Sequence, residues 1–302
     1  MAKLLEMLKT HVLVGDGAMG TQLFAAGLSP GECAEEWNVS HADAVKRIQR
    51  GYVEAGADCL ITNTFGGNRH ALDRHGLGER VEEFNTAAAK NARAAAGDAR
   101  TAGGDGVFVL GDIGPTGAFP EPMGGCGEDD FRQMFLEQAE ALAAAGVDAF
   151  IIETVTSVEE MRGAIDAARE AAELPVIASA CYDPTPDANT FRTMMGVTVE
   201  EMTRAALDAG ADVVGSNCGG VNMRDMVAIA GIIRGITSKP VIIQANAGRP
   251  EVRGDATVYP ETPEQFVQSA GDLLTLDVRI IGGCCGTTPE HIRALAGIVR
   301  AR

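Results

Sequence analysis

One phrase recurs along this chain and restricts its architecture more than any other feature. It runs alanine, glycine, a small residue and aspartate, and a short apolar stretch follows it. It appears as AGAD at 55–58 before CLITNT, as AGVD at 145–148 before AFIIET and as AGAD at 209–212 before VVGSNC; a weaker copy is LDV at 276–278 before RIIGGCC. A glycine that closes a helical pattern reads as a helix C-cap, where a left-handed backbone is needed. The apolar residues after it suit a strand covered on both faces, as parallel sheets require.

Extending that reading gives eight strands, at 12–15, 59–63, 107–112, 149–153, 176–181, 212–216, 240–245 and 278–283. Helical patterns lie between them, near 42–55, 80–98, 129–145, 157–172, 197–209, 223–236, 262–275 and 289–300. Thr262-Pro263-Glu264 and Thr288-Pro289-Glu290 look like helix starts, a capping residue followed by proline. Eight β-then-α units in 302 residues fit a single-domain α/β fold, a (β/α)8 TIM barrel over 1–302, better than an open doubly wound sheet. Leu4, Leu5 and Leu8 suggest a short lead-in helix before it. No Gly/Ser/Pro linker divides the chain, and Gly103-Gly104-Asp105-Gly106 reads as an ordinary helix-to-strand turn. Two long loops, 182–196 and 246–261, follow strands five and seven. Both fall on the C-terminal rim, where such barrels place their chemistry.

Composition removes other classes. Twenty-five basic residues against 42 acidic ones, a net charge of −17, argue against a nucleic-acid partner, which needs a clustered basic footprint. No apolar run approaches the roughly 18–20 residues of a membrane span, and the N-terminus has no secretory signal pattern. The expected setting is the cytoplasm, where seven cysteines are thiols, metal ligands or nucleophiles sooner than bridges.

The cysteines sort by position. Cys218 follows strand six in GSNCGG, and Cys284 and Cys285 follow strand eight in IIGGCCGTTPE. On a barrel these three can approach one another across the rim. Adjacent residues of an extended strand point to opposite faces, so the vicinal pair meets one ion only if the strand breaks. Gly282, Gly283 and Gly286 supply freedom for that break. Three thiolates suit tetrahedral Zn2+ with one position open, as in catalytic sites. Small core residues beside glycine turns, or a redox dithiol, remain alternatives at this point.

Seven segments then resemble the homocysteine S-methyltransferase family, and among its members most closely the homocysteine-binding module of cobalamin-dependent methionine synthase. They are GDGAMGTQL (15–23), LITNTFGGNRHALDRHGL (60–77), GDIGPTG (111–117), FIIET (150–154), GSNCGG (215–220), QANAGRP (244–250) and GGCCGTTPEHI (282–292). They stand in family order and cover nearly the whole chain. The resemblance implies zinc on Cys218, Cys284 and Cys285, with Asn246 filling the fourth position before substrate arrives. It implies Asp16 and Glu153 at the amino-acid end of homocysteine. Gly17, Thr62 and Asn63 are expected beside them, with Asp112 a further candidate. The same wording, and the lack of a recognisable donor module, point to methylcobalamin on a separate corrinoid protein as methyl donor. Betaine and S-methylmethionine are the alternative donors. A zinc hydrolase on the same barrel is disfavoured, because it needs His or carboxylate ligands and a base beside a metal-bound water. A non-catalytic zinc protein is disfavoured too, since it predicts a fourth fixed cysteine. Asp73, His75 and Gly78 match the D-x-H-x-x-G pattern of cobalamin binding, but that pattern belongs in a different fold.

Overall fold

A computed structural model describes residues 3–301 apart from 98, 100, 102, 103, 105, 188 and 255. Asp98 at the predicted end of the second helix, and Gly103 and Asp105 of the predicted turn, lie outside the described residues. The barrel strands are β1 (Leu13–Val14), β2 (Cys59–Ile61), β3 (Phe108–Ile113), β4 (Ala149–Val155), β5 (Val176–Ala180), β6 (Val213–Asn217), β7 (Val241–Ala245) and β8 (Ile280–Gly283). All pair in parallel, in the order β1-β8-β7-β6-β5-β4-β3-β2. A parallel bridge between Gly15 and Cys59 closes the ring. The chain is therefore a (β/α)8 barrel with its helices outside.

The recurring phrase acts at the bottom of this barrel. Gly56, Gly146 and Gly210 have φ of 104°, 82° and 102°, the left-handed turn expected of a C-cap. The aspartate two residues on reaches sideways to the preceding strand. Asp58 accepts from the Val14 N–H (2.9 Å), Asp148 from Val109 (2.7 Å) and Asp212 from Val176 (3.0 Å). An arginine from the end of the helix before that strand ties the glycine carbonyl to the aspartate. Arg300 donates to the Gly56 oxygen, Arg93 to Gly146 and Arg169 to Gly210. Each also pairs with the adjacent carboxylate, at 3.5, 2.9 and 2.6 Å. The weaker copy keeps the shape with other residues. Asp277 takes the glycine place at φ 57°, and Arg279 takes the aspartate place, 2.6 Å from Asp277. β2, β4 and β6 are thus each clamped to the strand before them.

Asp212→Ala should leave the buried Val176 N–H unpaired and cost about 1–3 kcal/mol of stability. Urea unfolding reads that loss.

The interior has a simple parity. Leu13, Cys59, Phe108, Leu110, Ala149, Ile151, Ile177, Val213, Ile242 and Ile280 form one buried cluster within the ring. Leu4, Met7 and Leu8 belong to the same cluster, so the lead-in helix Lys3–Met7 plugs the bottom. Strand side chains alternate between faces. Two or four residues beyond those apolar positions, the inward places are taken by Asp112, Glu153, Asn217, Gln244 and Cys284. Polar residues succeed apolar ones as the strands reach the rim.

The predicted strands and helices are found within a few residues, and three short helices stand outside the expected set, Gly20–Ala26, Trp37–Ser40 and Arg69–Asp73. The expected helix 262–275 is two pieces, Pro263–Phe266 and Ala270–Thr275. A turn at Val267–Ser269 divides them, next to Ser269 and Gly271, which are weak helix formers. The long rim loops are not plain coil. They carry antiparallel pairs, Asp183–Pro184 with Phe191–Arg192 and Glu251–Arg253 with Ala256–Val258. Among the described residues no helix is long and apolar enough to cross a membrane.

Candidate active site

A cavity of about 270 Å³ opens at the C-terminal ends of the strands. Asp16, Gly17, Thr62, Asn63, Asp112 and Glu153 all line it, and so do Cys218, Cys284 and Cys285. Asn246 does not. It is buried on β7's extension, and its Nδ2 donates to the Gly219 carbonyl at 2.7 Å, beside Cys218. Its Oδ1 has no hydrogen-bond partner among the described residues.

The three thiols form one wall. Their Sγ atoms all lie within 4.8 Å of one another, and Cys218 stands 3.7 Å from Cys285. Two backbone features bring them there. Cys218 has φ 57°, a left-handed conformation that costs a non-glycine residue free energy. Gly219 follows it, where a Cβ would lie 2.0 Å from the Tyr182 carbonyl oxygen. On the other side the strand breaks after Cys284, whose N–H still reaches the Ala245 carbonyl at 2.7 Å. Gly286 then takes φ 79° under the ring of Tyr259. Hydrogen bonds from Cys218 and Cys284, and then from Tyr259, hold the Cys285 thiol down to about 3. The hydrogen bond of Cys284 with Cys218 first, then that with Cys285, and then burial push Cys284 well above the ordinary thiol range.

The opposite wall is acidic. The Asp16 Oδ2 accepts from the Ile61 N–H at 2.8 Å, while its Oδ1 is unpartnered. Asp112 Oδ1 is also buried and unpartnered. Burial pushes the Asp16 and Asp112 carboxyls well above the usual range, and the charge of Glu153 adds to both. Glu153 itself is raised to about 8, by burial first and then by the charge of Cys285. No lysine, arginine or histidine lines the cavity among the described residues. A cavity with raised acids and unpartnered acceptors suits a ligand that brings a positive charge and N–H donors.

These acids make the empty protein pH-sensitive in a definite direction. Folded Glu153 keeps its proton to about 8, whereas the unfolded chain releases it near 4.5. Folding therefore favours the protonated form, and stability falls as pH rises from about 4.5 to about 8. Thermal melts of metal-free, substrate-free protein should show this decline. Glu153→Gln should flatten it; an equally steep slope in that variant would contradict the assignment.

The 15–20 turn and the 283–288 turn are held together. Thr287 Oγ1 accepts from the Ala18 N–H (3.0 Å) and donates to the Cys284 carbonyl (2.7 Å). The buried Tyr52 hydroxyl donates to the Ala18 carbonyl at 2.7 Å. Gly17 sits between them, and a Cβ there would lie 2.7 Å from both Thr287 Oγ1 and the Tyr52 ring. Thr62 Oγ1 accepts from the Asp112 N–H and lies 2.6 Å from Thr64 Oγ1. Asn63 donates to the Ala34 carbonyl.

Several lining residues escape the sequence reading. Gln244 lies inward on β7, two places after Ile242, and strand parity alone places it there. Glu35 reaches the cavity from the 27–36 loop. Its Oε1 accepts from the Gly66 N–H and its Oε2 from the Cys33 thiol. Nothing periodic marks that loop. His70 and His75 are exposed and stand away from the site.

The sequence profile described as homocysteine S-methyltransferase matches residues 13–299. The proteins named methionine synthase from Mycobacterium tuberculosis (strain ATCC 25618 / H37Rv) and Mycobacterium leprae (strain TN) are each 31% identical over 314 residues. Those alignments cover 98% of this chain and 25% of each relative, so the chain spans a quarter of their length. The crystal structure of the homocysteine methyltransferase MmuM from Escherichia coli, in its metallated form, superposes with a TM-score of 0.80 at 22% identity. It covers 97% of this chain and 99% of that one, and its likeness concerns the fold. The TM-score for the apo form of the same protein is 0.74. With a matching profile over nearly its whole length, the chain belongs to the homocysteine S-methyltransferase family.

Proposed function

We propose that this protein is a homocysteine S-methyltransferase that moves a methyl group onto the sulfur of homocysteine and yields methionine. One observation carries the reading: a single cavity sets three convergent thiols against buried acids with unpartnered oxygens. A thiol amino acid is complementary to both walls. Asp16 and Glu153 receive its ammonium group, with Asp112 close by. Its carboxylate meets no basic side chain, which leaves the backbone amides around Gly17 and the polar groups of Thr62 and Asn63.

The donor set fits Zn2+. Cys218, Cys284 and Cys285 are soft ligands at mutual distances suited to one ion; the family resemblance adds Asn246 as a fourth contact, and its Oδ1 is buried without a partner. Zinc held there would supply Lewis acidity that lowers the pKa of a substrate thiol, so that its proton passes to water at neutral pH. The chain's own groups then orient the amino acid so that its sulfur faces the open mouth. Phe65, Met19 and Ala34 give the cavity an apolar side beside the reacting sulfur.

The methyl donor in this reading is a methylated corrinoid carried by another protein or module. It would dock on the rim, where the hairpins within 182–196 and 246–261 project. Val252 and Met194 are exposed there, at 82% and 69%. A cytoplasmic setting, which keeps all seven thiols reduced, belongs to the same proposal.

The test is direct. Zinc-loaded protein is mixed with homocysteine and, in separate reactions, with methylcobalamin, a methyl-corrinoid protein, betaine and S-methylmethionine, and methionine is measured. Methionine from the corrinoid reactions supports the reading. Methionine from betaine or S-methylmethionine alone replaces the donor and keeps the acceptor. No methionine from any donor overturns it.

A further inference from the structure

Glu153 and Cys284 come from strands on different sides of the cavity, yet one buried amide touches both. Asn217 ends β6, directly before Cys218, and is fully buried. Its Oδ1 accepts from the Thr154 N–H at 3.0 Å and from the Ser179 hydroxyl at 2.7 Å. Its Nδ2 donates to Thr154 Oγ1 at 2.7 Å, lies 3.4 Å from Glu153 Oε2 and 3.9 Å from the Cys284 sulfur. The two residues it brackets are both strained. Thr154 has φ 61° and Cys218 has φ 57°. At the same place the β4–β5 pairing slips between Ile152 and Val155. Non-glycine residues persist in the left-handed region only where surrounding contacts over-determine them. Asn217 makes both backbone and side-chain bonds to Thr154, which is such an over-determination.

We propose that Asn217 is a positioning residue that couples the acidic wall to the thiol wall: its amide fixes Glu153 and Cys284 relative to each other. This rests on the reading above, in which Glu153 holds the ammonium of homocysteine and Cys284 holds metal. An amino-acid substrate has a fixed length between its nitrogen and its sulfur. Both ends bind together only if the two walls keep a fixed separation. Asn217 sets that separation without touching the substrate.

The experiment uses Asn217→Asp. Aspartate keeps the shape and the acceptor oxygen for Thr154 and Ser179 but loses the N–H donors toward Glu153, Thr154 Oγ1 and Cys284. Two readouts are taken on the full chain. The first is the absorption spectrum of the protein loaded with Co2+ alone, which reports thiolate geometry at the metal. The second is homocysteine affinity by calorimetry, with kcat and KM measured beside it. The expected result is a shifted cobalt spectrum, with homocysteine affinity down about tenfold or more, the effect of losing hydrogen bonds to charged groups. KM should rise more than kcat falls. Asn217→Asp is then combined with Glu153→Gln. If Asn217 acts through Glu153, the two losses in affinity are strongly non-additive.

An unchanged cobalt spectrum together with unchanged homocysteine affinity overturns the proposal. So does full additivity with Glu153→Gln, which is the signature of a general loss of packing. If Asn217→Asp does not fold, Thr154→Ala removes the acceptor of the 2.7 Å bond together with a methyl of the cavity wall, so its cobalt spectrum is the deciding readout. This variant should move both readouts in the same direction by less, and no movement would be equally fatal. The cobalt arm needs no substrate. If wild-type protein fails to bind homocysteine, the functional reading fails while the hold on Cys284 is still decided.

Discussion

Cys218→Ser should abolish both zinc retention and methyl transfer. The serine hydroxyl stays protonated at neutral pH and is a poor zinc ligand beside two thiolates. Partners that merely orient ligands cost about 10–100-fold when removed, so loss of a ligand itself should exceed about 100-fold. Zinc content after dialysis against a chelator, and methionine formation, are the two measurements. The left-handed backbone at 218 accepts serine no worse than cysteine, so the fold should survive. Zinc should then raise the wild-type melting temperature and leave that of the variant unmoved. A Cys218→Ser protein that holds zinc stoichiometrically and turns over at the wild-type rate would remove the thiol wall from the mechanism.

Glu153→Gln should separate the acidic wall from the thiols. Truncating a buried, hydrogen-bonded charge pair costs about 2–5 kcal/mol, so homocysteine affinity should fall about thirtyfold or more. Zinc content should be untouched. The wild type faces an opposing term. Its Glu153 titrates near 8 in the empty site, so binding an ammonium at pH 7 requires the proton to leave. That costs about 1.4 kcal/mol for each unit below the pKa. Wild-type affinity should therefore climb between pH 7 and 8, while the glutamine variant lacks this component. The gap between them widens with pH and levels off above about 8. Equal affinities at pH 8 would show that the ammonium binds elsewhere.

Much of this molecule could be read from its sequence because its rules are local. The glycine in each recurring phrase needs a left-handed backbone, and the aspartate after it has a strand N–H to satisfy. Both demands arise within four residues, so the phrase itself announces where each clamped strand begins. Cys284 and Cys285 were legible for a similar reason, since adjacent thiols share a site only where glycines break the strand. Asp16 and Glu153 were found by family wording, though for Glu153 the inward parity of β4 from Ala149 and Ile151 leads to the same place. Asn217 and Gln244 follow from that parity too, but nothing in the sequence beyond this alternation sets them apart from other strand residues. Glu35 had no such handle. It enters the cavity from a loop whose path is set by Gly66 and Cys33, contacts that exist only after folding. The break in the predicted 262–275 helix was hidden by a sound start signal, because a cap fixes where a helix begins and says nothing of how far it runs.

The plug at the bottom of the barrel has a practical consequence. Lys3–Met7 fills the floor of the ring, and Arg300, near the other end of the described chain, reaches Gly56 and Asp58 on that same floor. Both ends therefore leave from the side away from the thiols. A handle attached at either end of the described chain would sit behind the barrel and leave the mouth uncovered. The protein could be anchored to a sensor chip by either end and still present its reactive face to solution, which makes partner capture a fair assay for this chain.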